Sequence, residues 1–199
     1  MARDPVKSAR RTALRARRRS VAAARDHAAD DAALARHVER LVGALGLGPG
    51  AVVTSYAAVP GEPPTRAVNA ALAAHGIRVL LPITLADLDL DWHDAADPAA
   101  TPLGRDAVAL ADLVLAPGLS VDRSGTRLGQ GGGCYDKALP RRRPGTPVVV
   151  VLHPEELLGA GEEALPRAAH DQPVDAVVTA EGVVDLGLSR WRSTPRAAG

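Results

Sequence analysis

The stretch AVVTSYAAVPGEPPTRAVNAALAAHGIRVLL, residues 51–81, decides the fold class. Its opening run, residues 51–57, is apolar and rich in β-branched side chains, which predicts a buried strand. The rest of the stretch predicts a turn at 61–64, a helix at 65–74 capped by Gly76, and a second strand at 77–81. A strand, a helix and a strand in this order predict two parallel strands joined by a crossover helix.

The same alternation continues on both sides of this stretch. Further strands are predicted at 88–92, 112–116, 147–152, 175–179 and 182–185, and helices at 135–142 and within 154–169. Upstream, residues 5–45 predict one helix because no glycine or proline interrupts the chain between Val6 and Val42. We therefore expect an α/β fold, a three-layer α/β/α arrangement with a mostly parallel central sheet and a long basic N-terminal helix. Ligands of such folds bind outside the carboxyl ends of the parallel strands.

The length of 199 residues suits one domain. We predict a single domain over residues 1–192, with the N-terminal helix at about 5–45, and a disordered tail at 193–199. The one cysteine, Cys134, excludes an internal disulfide, and no run of 18 apolar residues predicts a membrane span. The arginine-rich start resembles a transit peptide, but acidic residues continue its helical pattern from Asp26 onward, so we predict a cytoplasmic protein.

Charge is distributed unevenly along the chain. Residues 1–25 hold nine basic groups against Asp4, whereas the remaining residues hold 15 basic and 22 acidic groups. A basic arm on an acidic body suits nucleic acid, a membrane surface or an anionic small molecule. Aromatic residues make up 2% of the chain and phenylalanine is absent, which argues against a single-strand nucleic-acid reader built on stacking platforms.

Residues 127–136, RLGQGGGCYD, form the strongest candidate site. Four glycines fall within five positions between Arg127 and Asp136, and glycine lets a ligand approach the backbone closely. Successive backbone N–H groups in such a turn bind anions, which indicates a nucleotide phosphate site; the alternative is a flexible surface loop. The loop lacks the spacing of a Walker A site and of a dinucleotide-binding fingerprint. Its place after the strand at 112–116 puts it on the ligand edge of the sheet.

Charged residues elsewhere in the chain are further candidates for ligand binding. The basic side chains of Lys7, Arg11, Arg15 and Arg18 share one helix face and could grip phosphates, unless they form an ordinary solvated face. Glu62 follows the first strand and could accept hydrogen bonds from a pterin or purine ring, unless it is an ordinary acidic turn residue.

Asp136 and Asp171 are the candidate metal ligands. If their two loops meet at the sheet edge, they could share Mg²⁺, which takes one or two carboxylates beside phosphate oxygens. Cys134 at the predicted helix start could be a nucleophile, but no histidine or asparagine is placed to identify its partner. No cluster of cysteine and histidine predicts zinc.

Several motifs, in the same order along nearly the whole chain, resemble the 5-formyltetrahydrofolate cyclo-ligase family, also called methenyltetrahydrofolate synthetase. The most specific of them joins a Pro-Gly turn to the glycine-rich loop. The matching pieces are Lys7-x-x-x-Arg11, Glu62-x-x-Thr65, Val79-Leu80-Leu81-Pro82, Leu115-Ala116-Pro117-Gly118-Leu119, Asp122, Gly125-x-Arg127-Leu128-Gly129-x-Gly131-x-Gly133-x-Tyr135-Asp136 and His170-Asp171-x-x-x-Asp175. Two positions depart from the family pattern: Cys134 stands where tyrosine is usual, and Val121 stands where phenylalanine is usual.

The resemblance implies a fold like that of ribose-phosphate isomerases and CoA-transferases. It implies conversion of 5-formyltetrahydrofolate to 5,10-methenyltetrahydrofolate with MgATP, giving ADP and phosphate. Arg127 would be the catalytic residue. The ATP-binding residues would be Lys7, Arg11, Arg127, Leu128, Gly129, Gln130, Gly131, Gly132, Gly133, Cys134 and Tyr135. The folate would contact Glu62, Gln130, Gly131, Gly132, Gly133 and Cys134, and Mg²⁺ would be held by Asp136 and Asp171.

Two alternatives to the cyclo-ligase remain open on the sequence. A nucleic-acid-binding module would use the basic arm and bind in a salt-sensitive way. Another small-molecule enzyme on the same fold, such as a sugar-phosphate isomerase, would need an internal base and no ATP. We favour the cyclo-ligase and expect a monomer with a small-molecule substrate, and neither a nucleic-acid nor a membrane partner.

Overall fold

The computed structural model describes residues 5–167 and 172–187, so Asp171 and the tail at 193–199 lie outside it. The helices are α1 (Pro5–Ala24), α2 (His27–Ala44), α3 (Arg66–Ala74) and α4 (Cys134–Ala138), with short 3₁₀ turns at Arg105–Leu110, Leu139–Arg141 and Pro154–Glu156. The strands are β1 (Val52–Thr54), β2 (Arg78–Thr84), β3 (Leu90–Asp94), β4 (Leu113–Pro117), β5 (Ser120–Val121), β6 (Arg127–Leu128), β7 (Val148–Val151), β8 (Ala176–Thr179) and β9 (Gly182–Asp185).

A seven-stranded sheet with the order β3-β2-β1-β4-β7-β8-β9 forms the centre of the molecule. The pairs β1–β2, β1–β4, β4–β7 and β7–β8 are parallel, and α3 connects β1 to β2. The edge strands β3 and β9 each pair antiparallel with their neighbour. The mostly parallel sheet predicted from the sequence is therefore confirmed.

Successive residues of the central strands alternate between two hydrophobic cores, because side chains of a strand point to opposite faces. Leu113, Leu115, Val149 and Val151 face the core that α2 and α3 cover. The alternate residues of the same strands, such as Val114 and Val150, face a second core with Trp92, Tyr135 and the turn at Arg105–Leu110. Helical segments thus cover both faces of the sheet, as a three-layer fold requires.

The single helix expected at 5–45 is instead two helices, α1 and α2, and this part of the prediction was wrong. The break falls at Asp26, whose carboxylate accepts hydrogen bonds from the backbone N–H groups of Ala28 and Ala29, both at 3.0 Å. A side chain that caps a helix start in this way competes with helix continuation. Arg25, just before the break, pairs with Asp30 at 2.5 Å and fixes the bend.

The other helical expectations hold only in part. The helix expected at 135–142 is α4 followed by the 3₁₀ turn Leu139–Arg141. Within 154–169, the described residues form the short turn Pro154–Glu156 and no further helix as far as residue 167.

A third, smaller hydrophobic cluster packs α1 against the region around the glycine-rich loop; its members are Leu14, Leu119, Leu128, Leu158 and Leu165.

We expect Gly125→Ala to lower the free energy of unfolding by about 2 to 3 kcal/mol, because alanine is strained at positive φ. Gly125 has φ +80°, and a Cβ there would lie 2.8 Å from the backbone oxygen of Val174. The matched control is Gly43→Ala inside α2, where a Cβ meets nothing within 4 Å. This control should raise stability by about 0.5 to 1 kcal/mol. Urea denaturation of both variants checks the opposite signs, and a Gly125→Ala protein of normal stability would contradict the expectation.

Candidate functional site

A cavity of about 100 Å³ opens beside the carboxyl end of β4. The glycine-rich loop at 129–133 forms one wall, and the end of β4 with the following glycine forms another. The lining residues are Arg11, Pro117, Gly118, Arg127, Gly129, Gln130, Gly131, Gly132, Gly133, Cys134, Tyr135 and Asp136. The structure therefore gathers most of the predicted nucleotide-binding residues around one cavity, at the edge of the sheet where the topology predicted it.

Backbone conformation explains why the loop needs glycine. Gly131 has φ +104° and Gly133 has φ +73°, values that glycine adopts readily and other residues rarely adopt. A Cβ on Gly131 would also lie 3.3 Å from the Arg11 side chain, so the arginine approaches the loop closely. Gly133 directly precedes α4, which brings Cys134 and Asp136 to the rim of the cavity.

Arg127 lies on β6 with its side chain 6% exposed. Its Nη2 pairs with the Asp136 carboxylate, its Nη1 donates to the Pro117 carbonyl at 3.4 Å, and its guanidinium lies 5.8 Å from the Tyr135 ring centroid. A guanidinium held on several sides has a defined orientation, which suits the recognition of a phosphate group.

The basic face of α1 turns toward the glycine-rich loop. Arg11 Nε donates to the Gly129 carbonyl at 3.1 Å, and Arg15 Nε donates to Gln130 Oε1 at 3.1 Å. At these two positions the basic face of α1 therefore contacts the glycine-rich loop and is not simply exposed to solvent. Lys7, one turn before Arg11, is 9% exposed but does not line the cavity.

Glu62 is placed beside the loop from the opposite side. Its carboxylate accepts a hydrogen bond from the Val59 amide at 3.2 Å, and its side chain is 10% exposed. Burial raises the pKa of Glu62 above its ordinary value, although the Val59 amide, Arg18 and Gln130 favour the ionised form. The loop residue Gln130 thus interacts with Arg15 on one side and Glu62 on the other.

The sequence matches the model of the 5-formyltetrahydrofolate cyclo-ligase family over residues 3–180. The chain belongs to this family. A 5-formyltetrahydrofolate cyclo-ligase of Mycolicibacterium smegmatis is 34% identical over 69% of this chain and 78% of its own length. A mitochondrial 5-formyltetrahydrofolate cyclo-ligase of Arabidopsis thaliana is also 34% identical, over 63% of this chain and 42% of its own length.

Solved structures of 5,10-methenyltetrahydrofolate synthetases share the fold. The Mycoplasma pneumoniae structure has a TM-score of 0.67 at 18% identity and covers 85% of this chain and 98% of its own. The Aquifex aeolicus structure has a TM-score of 0.66 at 20% identity, over 98% of this chain and 96% of its own. Identities this low establish the fold alone. Membership of the cyclo-ligase family, shown by the sequence match, identifies this chain as an enzyme.

The sequence did not predict Tyr56 as a site residue, and it predicted Tyr135 among the ATP-binding residues; both side chains are buried. The hydroxyls of Tyr56 and Tyr135 have no hydrogen-bond partner among the residues that the structure describes. Burial raises the pKa of both phenols, and the nearby Glu62 charge raises each further. Tyr56 lies two residues after the end of β1, at the edge of the sheet where ligands bind. This position was the signal that could have identified Tyr56 as a site residue.

A buried ion pair next to the cavity was not predicted. Arg18 Nε lies 2.5 Å from Glu156 Oε1, and Arg18 Nη2 lies 2.7 Å from Glu156 Oε2. The sequence placed Arg18 on the basic face but gave no reason to pair it with Glu156, which is 138 residues away. Glu156 follows the carboxyl end of β7, so its place on the ligand edge was the one available signal.

Of the two predicted metal ligands, the structure describes Asp136 but not Asp171. Asp136 lines the cavity with a side chain 39% exposed, and one of its oxygens is taken by Arg127. Asp171 falls outside residues 5–167 and 172–187. Within those ranges no group of three or more His, Cys, Asp or Glu side chains forms a metal site. A partly exposed carboxylate beside a phosphate-sized cavity nevertheless suits Mg²⁺, which keeps several waters and needs one or two carboxylates.

Proposed function

We propose that this protein converts 5-formyltetrahydrofolate to 5,10-methenyltetrahydrofolate with consumption of ATP and release of ADP and phosphate. The observation that carries the proposal is the meeting of Arg11, Arg127 and the glycine-rich backbone in one cavity, with Glu62 beside Gln130. The cations and backbone N–H groups suit phosphates, and the buried carboxylate suits the N–H groups of a pterin. Family membership supplies the substrate class.

The chemistry needs charge neutralisation and alignment more than a protein nucleophile. The formyl oxygen on N5 attacks the γ-phosphorus of ATP, the bond to the ADP oxygen breaks, and an iminium-type phosphate forms. N10 then attacks the formyl carbon, phosphate leaves, and N10 loses its proton as the ring closes. Arg127 would stabilise the charge on the transferred phosphoryl group, while Arg11 and Lys7 would hold the ATP phosphates. Residues 128–135 would complete the nucleotide pocket.

Mg²⁺ would be held by Asp136, and by Asp171 from beyond the described residues, together with ATP phosphate oxygens. When bound, it would neutralise charge on the β- and γ-phosphates. The pairing of Asp136 with Arg127 places the predicted metal ligand and the predicted catalytic cation side by side.

The loop would serve both substrates. Gln130 already interacts with Glu62, so the segment Gln130, Gly131, Gly132, Gly133 and Cys134 would face the folate while its backbone faces the phosphates. Such a shared wall would keep the formyl oxygen and the γ-phosphorus close, which is the main requirement of an in-line transfer.

Mixing the protein with MgATP and 5-formyltetrahydrofolate tests the proposed function. We expect a rise in the near-ultraviolet absorbance of the methenyl product, equal in amount to the ADP formed. Omitting ATP should abolish the rise, which separates the cyclo-ligase from an ATP-independent isomerase on the same fold. A protein that binds nucleic acid at physiological salt and forms no product would favour the binding-module alternative instead.

We expect Cys134→Tyr to lower the KM for 5-formyltetrahydrofolate by about three- to tenfold, because an aromatic ring can stack on the pterin. Cys134 is a partly exposed lining residue at the start of α4, where the family usually has tyrosine. The KM for ATP should change little. Cys134→Ser is the matched control, which removes the thiol without adding a ring. An unchanged folate KM in the tyrosine variant would show that this position does not contact the pterin, and a higher one would contradict stacking on it.

No helix within residues 5–167 and 172–187 combines the length and the apolar character needed to cross a membrane. A cytoplasmic location, a monomeric state and the lack of a nucleic-acid partner remain predictions. Sedimentation of the purified protein and a gel shift at low and physiological salt test the last two.

A further inference from the structure

Arg18 is a buried cation that the proposed mechanism does not use. It lies near the end of α1 and is 5% exposed, and its partner Glu156 is 2% exposed. Replacing a buried ion pair with apolar side chains is often neutral or stabilising, so stability alone does not explain why such a pair is present. The position of the pair next to the candidate active site suggests a different role.

The Arg18 guanidinium contacts three groups around the site. Nε and Nη2 bind the Glu156 carboxylate, and Nη2 also donates to the Gly118 carbonyl. Nη1 is buried and has no hydrogen-bond partner among the described residues; it lies 3.9 Å from Glu62 Oε1. The guanidinium therefore has donor capacity left, directed at the carboxylate that we assign to the folate.

Glu156 is itself held by a backbone amide and a side-chain hydroxyl. Its Oε2 accepts from the His153 amide at 3.0 Å, and its carbonyl accepts from Ser120 Oγ at 2.6 Å. The Arg18 guanidinium is thus anchored to the segment that follows β7, and a planar fork anchored along one edge has a fixed orientation.

The turn formed by the last residue of β4, Pro117, and by Gly118 connects Arg18 to Arg127. Consecutive carbonyls of this turn accept from the two guanidinium groups, Pro117 from Arg127 at 3.4 Å and Gly118 from Arg18. Gly118 also packs tightly, because a Cβ there would lie 2.9 Å from Val150 Cγ1 and 3.5 Å from Arg127 Cγ. A shift of Arg18 would therefore move the surface on which Arg127 rests.

We propose that Arg18 is a positioning residue, which orients the Glu62 carboxylate for the folate and fixes its distance from Arg127 through the turn at Pro117 and Gly118. This role rests on the proposed function, since it assigns Glu62 to the folate and Arg127 to the phosphoryl group. Arg18 itself touches neither substrate.

The double variant Arg18→Met, Glu156→Leu tests the role without leaving the Glu156 carboxylate as an unpaired buried charge. We expect it to fold, with a melting temperature near that of the wild type. The KM for 5-formyltetrahydrofolate should rise about tenfold, the effect of losing one charge-assisted contact, while the KM for ATP stays within about twofold. A folded double variant with the wild-type folate KM would overturn the proposal.

Arg18→Lys provides a second test that does not depend on the folding of the double variant. Lysine keeps the charge but has no planar fork, so it cannot serve Glu156, Gly118 and Glu62 together. We expect the KM of Arg18→Lys for 5-formyltetrahydrofolate to be higher than that of the wild type. A KM equal to that of the wild type would show that a positive charge suffices and that orientation by the planar guanidinium is not involved.

A Glu62→Gln background shows whether Arg18 acts through Glu62. Adding Arg18→Met, Glu156→Leu to Glu62→Gln should raise the folate KM little further, because the coupled group is already gone. Full additivity of the two effects would contradict the positioning role. The wild type is assayed in parallel: if it forms no product with ATP, the proposed function itself fails, whereas an active wild type with indifferent Arg18 variants refutes only this role.

Discussion

Arg127→Ala is expected to lower kcat by about 10³-fold or more, the contribution of an arginine that stabilises phosphoryl-transfer charge. The fold should survive, because the paired Asp136 carboxylate is 39% exposed and remains hydrated without its partner. We expect a melting temperature within about 4 °C of the wild type, the shift produced by roughly 1 kcal/mol or less. Steady-state rates of methenyl formation and a thermal melt measure the two quantities.

Arg17→Ala is the matched control for this variant. Arg17 lies on the same basic helix, α1, but its side chain is 42% exposed and pairs with Glu162 at 3.2 Å on the surface. Loss of such a surface pair changes stability by about 1 kcal/mol at most, and kcat should be normal. If Arg127→Ala turned over as fast as Arg17→Ala, Arg127 would have no part in the chemistry.

Glu62→Gln is expected to raise the KM for 5-formyltetrahydrofolate by about 10- to 100-fold, because a charge-assisted hydrogen bond to the pterin becomes a neutral one. The KM for ATP should change far less, since the Glu62 carboxylate does not line the phosphate cavity. Glu163→Gln is the matched control, with a side chain 85% exposed and a distant partner in Arg10 at 3.7 Å. Equal folate KM values for the two variants would remove Glu62 from folate binding.

The pH dependence of folate binding gives a second measure of Glu62. Burial raises the pKa of this carboxyl, and the ionised form is the one that accepts pterin N–H groups. As the pH falls, Glu62 should therefore become protonated, and folate binding should weaken, at a higher pH than if its pKa were that of an ordinary glutamate. The charged and titratable groups around Glu62 are Arg18, Glu156, Tyr56 and Tyr135. Glu62→Gln should abolish this acid limb, and a limb that persists in the variant would belong to another group.

Short-range patterns explain how much of the fold the sequence predicted. The strands appear in the sequence as short apolar runs, and the helix at 66–74 appears as a separate segment between two of them. The order of these elements, and from it the parallel sheet, could therefore be predicted. The break between α1 and α2 could not, because helix propensity alone favours continuation and the cap at Asp26 competes only through its side-chain geometry. The order of the elements thus follows from local sequence patterns, whereas the break between α1 and α2 depends on individual hydrogen bonds.

The site shows the same division. The position of the glycine-rich loop followed from topology, because the loop leaves the carboxyl end of a parallel strand. The side chains that orient it did not, since Arg18 and Glu156 lie 138 residues apart and Arg15 reaches Gln130 across 115 residues. Contacts at such separations depend on the packing of whole elements, which one sequence does not reveal.

The contrast between α1 and α2 has a thermodynamic consequence. The 20 residues of α1 bury Leu14 and Ala22 as their apolar side chains, whereas α2 buries five in 18 residues. Helix α1 is therefore attached largely through arginines, and a segment with little apolar contact opens locally at low cost. A ligand that binds those arginines favours the docked helix by mass action, so substrate concentration and the local stability of α1 become linked quantities. In this enzyme the nucleotide would be a structural component of the site as well as a reactant.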